Sequence, residues 1–166
     1  MLVLVTGGAR AGKSRFAQAL AQRLGGDGVS FLATAEPLDE EMRERILQHR
    51  RERPSAWETL EVPLEVPQAL RRAGHGVVLL DCLTLWVSNL LLRGREVREE
   101  VERLLEAARG SGKTLVVVSN EVGMGLVPEN PLGRRYRDLL GAANQRLAQE
   151  AQEVYLVVAG LPLRLK

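Results

Sequence analysis

Residues 7–14 read Gly7-Gly8-Ala9-Arg10-Ala11-Gly12-Lys13-Ser14. This is the spacing G-x-x-x-x-G-K-[ST] of a loop that cradles phosphate. Glycines let the backbone curl so that successive N–H groups point inward at an anion. A helix starting at the end of such a loop aims its positive end at the same place. Lys13 then reaches the β- and γ-phosphates, and the Ser14 hydroxyl becomes a Mg2+ ligand. The pattern carries this meaning between a strand and a helix. An apolar run, Leu2–Val5, precedes it and a helical run, Ser14–Leu24, comes after it. The segment is expected to bind a nucleoside triphosphate.

Two further groups have chemistry to offer. Val77-Val78-Leu79-Leu80-Asp81 is an apolar run ending in a carboxylate. An Asp at a strand end holds Mg2+ directly or through water in phosphate-loop enzymes; alternatively Asp81 caps the helix that starts near Leu83. His49 lies in the charged stretch Arg45–Arg53. A histidine there reads as a solvated group on a helix end. Yet a neutral ring nitrogen is also the form that attacks phosphorus, and the surrounding arginines suit a triphosphate leaving group. His75, between two glycines, reads as a turn residue. Arg134, Arg135 and Arg137 fit phosphate from a substrate or from a neighbouring subunit, and a solvated basic face equally well. Trp86 reads as core.

Hydrophobic patterning gives the elements that must position these groups. Continuous apolar runs recur at Leu2–Val5, Val29–Ala33, Val77–Leu80, Thr114–Val118 and Val154–Val158. Runs of this kind are strands buried on both faces of a parallel sheet. Helical patterns lie between them at Ser14–Leu24, Asp39–Arg51, Val66–Ala73, Leu83–Leu92, Glu96–Ala108 and Leu132–Glu150. Edge strands are expected around Trp57–Val62 and Pro162–Leu165. The alternation predicts an open α/β sheet with right-handed crossovers. Residues 119–131, rich in Gly, Pro and Asn, leave the end of a buried strand, where open α/β sheets bind ligands.

Composition sets bounds. The chain has 166 residues, 45% of them hydrophobic and 27% charged, as a globular domain does. It has no run of 18 apolar residues, so no membrane-spanning helix is expected. No secretory signal is read at its start. Cys82 is the only cysteine, which excludes an internal disulfide and points to a cytoplasmic setting. A net charge of +2 with 4% aromatics suits small anions and gives no base-stacking surface for nucleic acid.

These pieces together resemble one family. They are Gly7–Ser14; Arg45-Ile46 and His49 with Arg53-Pro54; Ser119-Asn120-Glu121-Val122-Gly123-Met124-Gly125 with Val127-Pro128-Glu129-Asn130; Asn144-Gln145-Arg146-Leu147; and Val157-Val158-Ala159-Gly160-Leu161-Pro162. The pattern is similar to the bifunctional adenosylcobinamide kinase/adenosylcobinamide-phosphate guanylyltransferases of cobalamin biosynthesis, along essentially the whole chain. The resemblance implies a phosphate-loop, RecA-like α/β fold, a mostly parallel sheet with helices on both faces, in one domain over residues 1–166. It also implies a homotrimer.

The activity it implies has two steps. The γ-phosphate of ATP or GTP passes to adenosylcobinamide. GMP from GTP is then placed on the new phosphate through a guanylyl-histidine, and the matching position is His49. Mg2+ accompanies the nucleotide, with Ser14 and Asp81 as its expected ligands and Lys13 as a catalytic group. Nucleotide contacts fall on Gly7, Gly8, Ala9, Arg10, Ala11, Gly12, Lys13 and Ser14, on Ala33, Thr34 and Ala35, on Arg50, Arg51, Glu52 and Arg53, and on Glu61 and Asp81. Two positions depart from the family: Ala11 stands where Ser is common, and Gln48 where some members have a second His. The competing readings are a single-step metabolite kinase and a GTP-binding switch.

Overall fold

A computed structural model describes residues 1–166. Thirteen elements alternate along it. In chain order they are β1 (Leu2–Gly7), α1 (Lys13–Gly25), β2 (Val29–Ala33), α2 (Glu40–Glu52), β3 (Glu58–Glu61), α3 (Val66–Arg72), β4 (Val77–Asp81), α4 (Leu83–Leu92), α5 (Val97–Ser111), β5 (Thr114–Val118), α6 (Pro131–Glu150), β6 (Glu153–Val158) and β7 (Leu161–Arg164). Every expected strand and helix is present, with ends shifted by a few residues.

The sheet has seven strands in the order β3-β2-β4-β5-β1-β6-β7. All pairings are parallel except β6 with β7, which is antiparallel. The continuous apolar runs have their reason in the pleat, which sends successive side chains to opposite faces. Leu2 and Leu4 join a core cluster with α3, α4, α5 and α6. Val3 and Val5 join a second cluster with α1. Leu115 and Val117 divide from Val116 and Val118 in the same way. Both faces are covered, so few polar positions lie between them; Ser30 of β2 is one, buried with its hydroxyl donating to Glu58.

α2 is the exception. It buries none of its residues, and neither core cluster includes a residue from it. Its order comes from its own ends. The Asp39 side chain accepts from the Met42 N–H at 2.7 Å, Glu40 and Glu41 fill the first turn, and Arg50 and Arg51 lie in the last. Such an arrangement satisfies terminal amides and complements the helix dipole. The helix is thus held to the body mainly through its C-cap residue. Arg53 is buried, with its guanidinium 3.9 Å from the centre of the Phe31 ring.

Candidate active site

The register brings the candidate groups to one edge of the sheet. Ala33 pairs with Asp81, and Asp81 with Val118. Val5 also pairs with Val118, and the phosphate loop leaves β1 two residues later. Ligands of open α/β sheets bind at this carboxyl edge.

The loop is shaped by contacts distant in sequence. Gly12 takes a left-handed conformation, with φ 96°, at the start of α1. Beyond it, Ala159 and Gly160 have φ of 52° and 77° and turn the chain from β6 into β7. Two successive positive φ values make the tight hairpin turn that suits a right-twisted ribbon. The Gly160 N–H donates to the Ala11 carbonyl at 2.8 Å. A side chain at Gly12 would meet the Gly160 backbone at 3.2 Å. The Ala159-Gly160 segment is therefore a brace on the phosphate loop.

Lys13 is nearly buried and donates from Nζ to the Gly8 carbonyl at 2.5 Å. Burial pulls its pKa down, against the opposing pull of Cys82 and Asp81. Asp81 is raised above the usual aspartate range, first by burial; the Ser14 hydroxyl, His49, Lys13 and Arg53 oppose that shift. Asp81 does not cap the next helix: the cap position of α4 is Cys82, with no side-chain bond. The second reading of Asp81 is thereby excluded. Cys82 itself is pushed up to about 11 by burial and by Asp81, so it stays a thiol.

His49 reaches the same place from α2. A cavity of about 650 Å3 is lined by the loop from Arg10 to Arg15 on one side and by Arg45, Gln48, His49 and Glu52 on the other. The His49 ring is half exposed, with Nδ1 4.0 Å from the Glu52 carboxylate. Arg45 and Gln48 are cavity residues outside the expected set of contacts. Their signal lies in the spacing, since residues 45, 48, 49 and 52 share one face of a helix.

The remaining expected contacts divide. Arg50 lies 3.9 Å from Glu61 on β3, and Arg51 is exposed. Arg53 is buried, and its Nε has no partner. Ala33 and Ala35 are half-buried at the end of β2. Thr34 does not offer its hydroxyl: Oγ1 donates to the Cys82 carbonyl at 2.8 Å and accepts from its N–H at 2.9 Å. That pair of bonds serves the fold, joining β2 to the β4–α4 junction. Likewise Arg134 donates to the carbonyls of Pro128 and Glu129, and Arg137 to those of Val122 and Gly123. Both brace the 119–130 loop. Trp86 is fully buried, donating to the Leu64 carbonyl at 2.7 Å.

A glycine loop braced at a strand end, a lysine folded into it and an acid on a nearby strand define a phosphate-loop nucleotide-binding α/β protein. The flagellar accessory protein FlaH of Methanocaldococcus jannaschii shares the fold: TM-score 0.55, 14% identity, covering 99% of this chain and 77% of that one. The family model for cobinamide kinase / cobinamide phosphate guanyltransferase matches residues 3–165, and the chain belongs to that family. The bifunctional adenosylcobalamin biosynthesis protein CobP of Pseudomonas aeruginosa is 46% identical, over 98% of this chain and 96% of its own. The CobU protein of Salmonella typhimurium is 42% identical over the whole of both. No helix is long and apolar enough to cross a membrane.

Proposed function

We propose that this chain phosphorylates adenosylcobinamide with ATP or GTP and then transfers GMP from GTP to adenosylcobinamide phosphate. The observation that carries this reading is the shared cavity: His49 and the phosphate loop line one space of about 650 Å3. That volume is in the range of sites that hold small-molecule ligands.

In the first step the hydroxyl of the substrate attacks the γ-phosphorus and the bond to the β-phosphate oxygen breaks. The transition state is loose, so positioning and charge neutralisation do the work. Lys13 and the loop amides supply both. In the second step a ring nitrogen of His49 attacks the α-phosphorus of GTP, and pyrophosphate leaves. A phosphate oxygen of adenosylcobinamide phosphate then attacks the same phosphorus, and the P–N bond breaks. Two displacements let the enzyme keep GMP after pyrophosphate has gone.

Ser14 and Asp81, an oxygen pair at the end of the loop, are the residues that would hold Mg2+. Their oxygen donors suit a hard cation that brings its own waters and binds nucleotide phosphates. No cluster of three metal-ligating side chains is present, as fits an ion that arrives with its nucleotide. Bound there, Mg2+ would neutralise phosphate charge.

α2 is the moving part in this reading. None of its residues is buried, so residues 36–54 close on the loop when GTP binds, pivoting near Arg53. Protease sensitivity of that segment that is identical with and without GTP would count against closure. A homotrimer in the cytoplasm completes the reading; the exposed Leu161, Leu163 and Leu165 at the sheet edge are apolar surface of the kind a subunit covers. The deciding experiment is the intact mass after incubation with GTP and Mg2+. A gain of one GMP on the peptide holding His49 is expected. An unmodified protein that still transfers γ-phosphate would leave a single-step kinase.

A further inference from the structure

A second cavity of about 610 Å3 lies away from the phosphate loop and shares no residue with it. It opens where α5 and α6 begin. Arg95, Arg98, Arg134 and Arg135 line it, facing two carboxylates, Glu96 and Asp138. These arginines sit against the electrostatic grain of their helices. Arg98 is in the first turn of α5, and Arg134 and Arg135 are near the start of α6. Cations are disfavoured at the positive end of a helix. α6 has no acidic residue in its first turn to offset them. Its N-cap residue Asn130 accepts from the Gly133 N–H, whereas α5 has no side-chain cap bond from Glu96 but carries Glu99 and Glu100 in its first turn.

The four guanidiniums differ in how they are held. Arg95 is fixed by Glu65 and the buried Glu100, each at 2.9 Å. Arg134 is fixed by the carbonyls of Pro128 and Glu129. Arg98 and Arg135 make no ion pair and no side-chain hydrogen bond. Two oriented guanidiniums beside two unengaged ones in one cavity are the elements of a polyphosphate site. Glu96 and Asp138 oppose any anion there, in proportion to its charge. A di- or triphosphate has oxygens enough to engage several guanidiniums at once.

We propose that this cavity is a second anion site, taking the di- or triphosphate group of a small molecule. It is independent of the two-step reaction proposed above. Because Arg134 also holds the carbonyls of Pro128 and Glu129, occupancy would stiffen the 119–130 loop.

The test is equilibrium dialysis of the full chain with labelled pyrophosphate. The parent is expected to bind two per chain. The double variant Arg98→Ala/Arg135→Ala, folded by circular dichroism, is expected to bind one. Its remaining site should be lost on adding Lys13→Ala. Labelled GTP in place of pyrophosphate identifies the source: tighter binding at the second site marks a nucleotide, equal binding a bare polyphosphate. A parent that binds only one pyrophosphate overturns the proposal, as does a double variant that still binds two.

Discussion

The ammonium of Lys13 is turned back on its own loop, donating to the carbonyl of Gly8 at 2.5 Å. That bond satisfies the cation within its own loop. Both steps of the proposed reaction need a triphosphate held there. Lys13→Ala is expected to lower both activities together. Loss of one preorganised charge donor costs about 10²–10³ in rate. Lys13→Arg is not expected to restore either, because a planar fork does not replace a compact ammonium inside a tight loop. Steady-state rates of γ-phosphate and GMP transfer are the measurement. A normal rate for either step would refute a single shared loop.

His49 separates the two steps. His49→Ala removes the proposed nucleophile and leaves Lys13 and the loop intact. Guanylyl transfer is expected to fall by several powers of ten, as loss of a nucleophile does, while phosphoryl transfer continues. α-labelled GTP gives the direct readout. The parent is expected to keep label after denaturation and to release it in acid, because a phosphoramidate is acid-labile. Label retained by the His49→Ala protein would place the nucleophile elsewhere.

Much of this site was legible in the sequence because its parts are local. The phosphate loop is eight consecutive residues, and the strands are continuous apolar runs because both sheet faces are covered. Asp81 was found as a carboxylate at a strand end, though only the structure removed the capping alternative, by giving the cap position to Cys82. What was not legible depends on contacts between distant segments. Thr34 looked like a nucleotide contact, and nothing in its neighbours shows that its hydroxyl is taken by the Cys82 backbone. Arg134 and Arg137 are phosphate candidates by sequence, and nothing in their neighbours shows that both also hold loop carbonyls. The arginines of the second cavity come from α5, the turn before it and α6, which adjoin only after folding.

The brace on the phosphate loop gives a comparison within one motif. Gly12 has φ 96° and its missing side chain would meet the Gly160 backbone at 3.2 Å. A side chain at Gly8 would meet nothing within 4 Å. Gly12→Ala carries left-handed strain of roughly 1–2 kcal/mol and also pushes on the turn that donates to Ala11. Gly8→Ala carries neither. Thermal unfolding is expected to show a fall of several degrees for Gly12→Ala, since 1 kcal/mol shifts a domain of this size by about 2–4 °C, and little change for Gly8→Ala. Equal melting temperatures would mean that the turn does not bear on the loop.

Asp81 makes a prediction whose sign depends on pH. Burial is the main reason that its carboxyl titrates above the usual aspartate range, with the Ser14 hydroxyl and then His49, Lys13 and Arg53 pulling the other way. An acid raised in this way binds its proton more tightly in the folded chain than in the unfolded one. It adds stability below the ordinary aspartate range, and that contribution is lost as pH rises through the raised value. Once ionised, the group costs stability. Asp81→Asn keeps the shape and removes the charge. Without nucleotide, the variant is expected to melt higher than the parent at about pH 7.5, with a smaller gain at about pH 4, because protonation of the raised carboxyl restores stability as pH falls. With nucleotide the order should reverse, because the variant loses the carboxylate that would hold Mg2+, and with it the Mg2+-dependent part of GTP binding. Melting scans at both pH values, with and without MgGTP, read the two effects separately. A variant less stable than the parent at about pH 7.5 without nucleotide would mean that the positive neighbours outweigh burial, leaving Asp81 as the anchor of a structural ion cluster rather than a charge kept in reserve for metal.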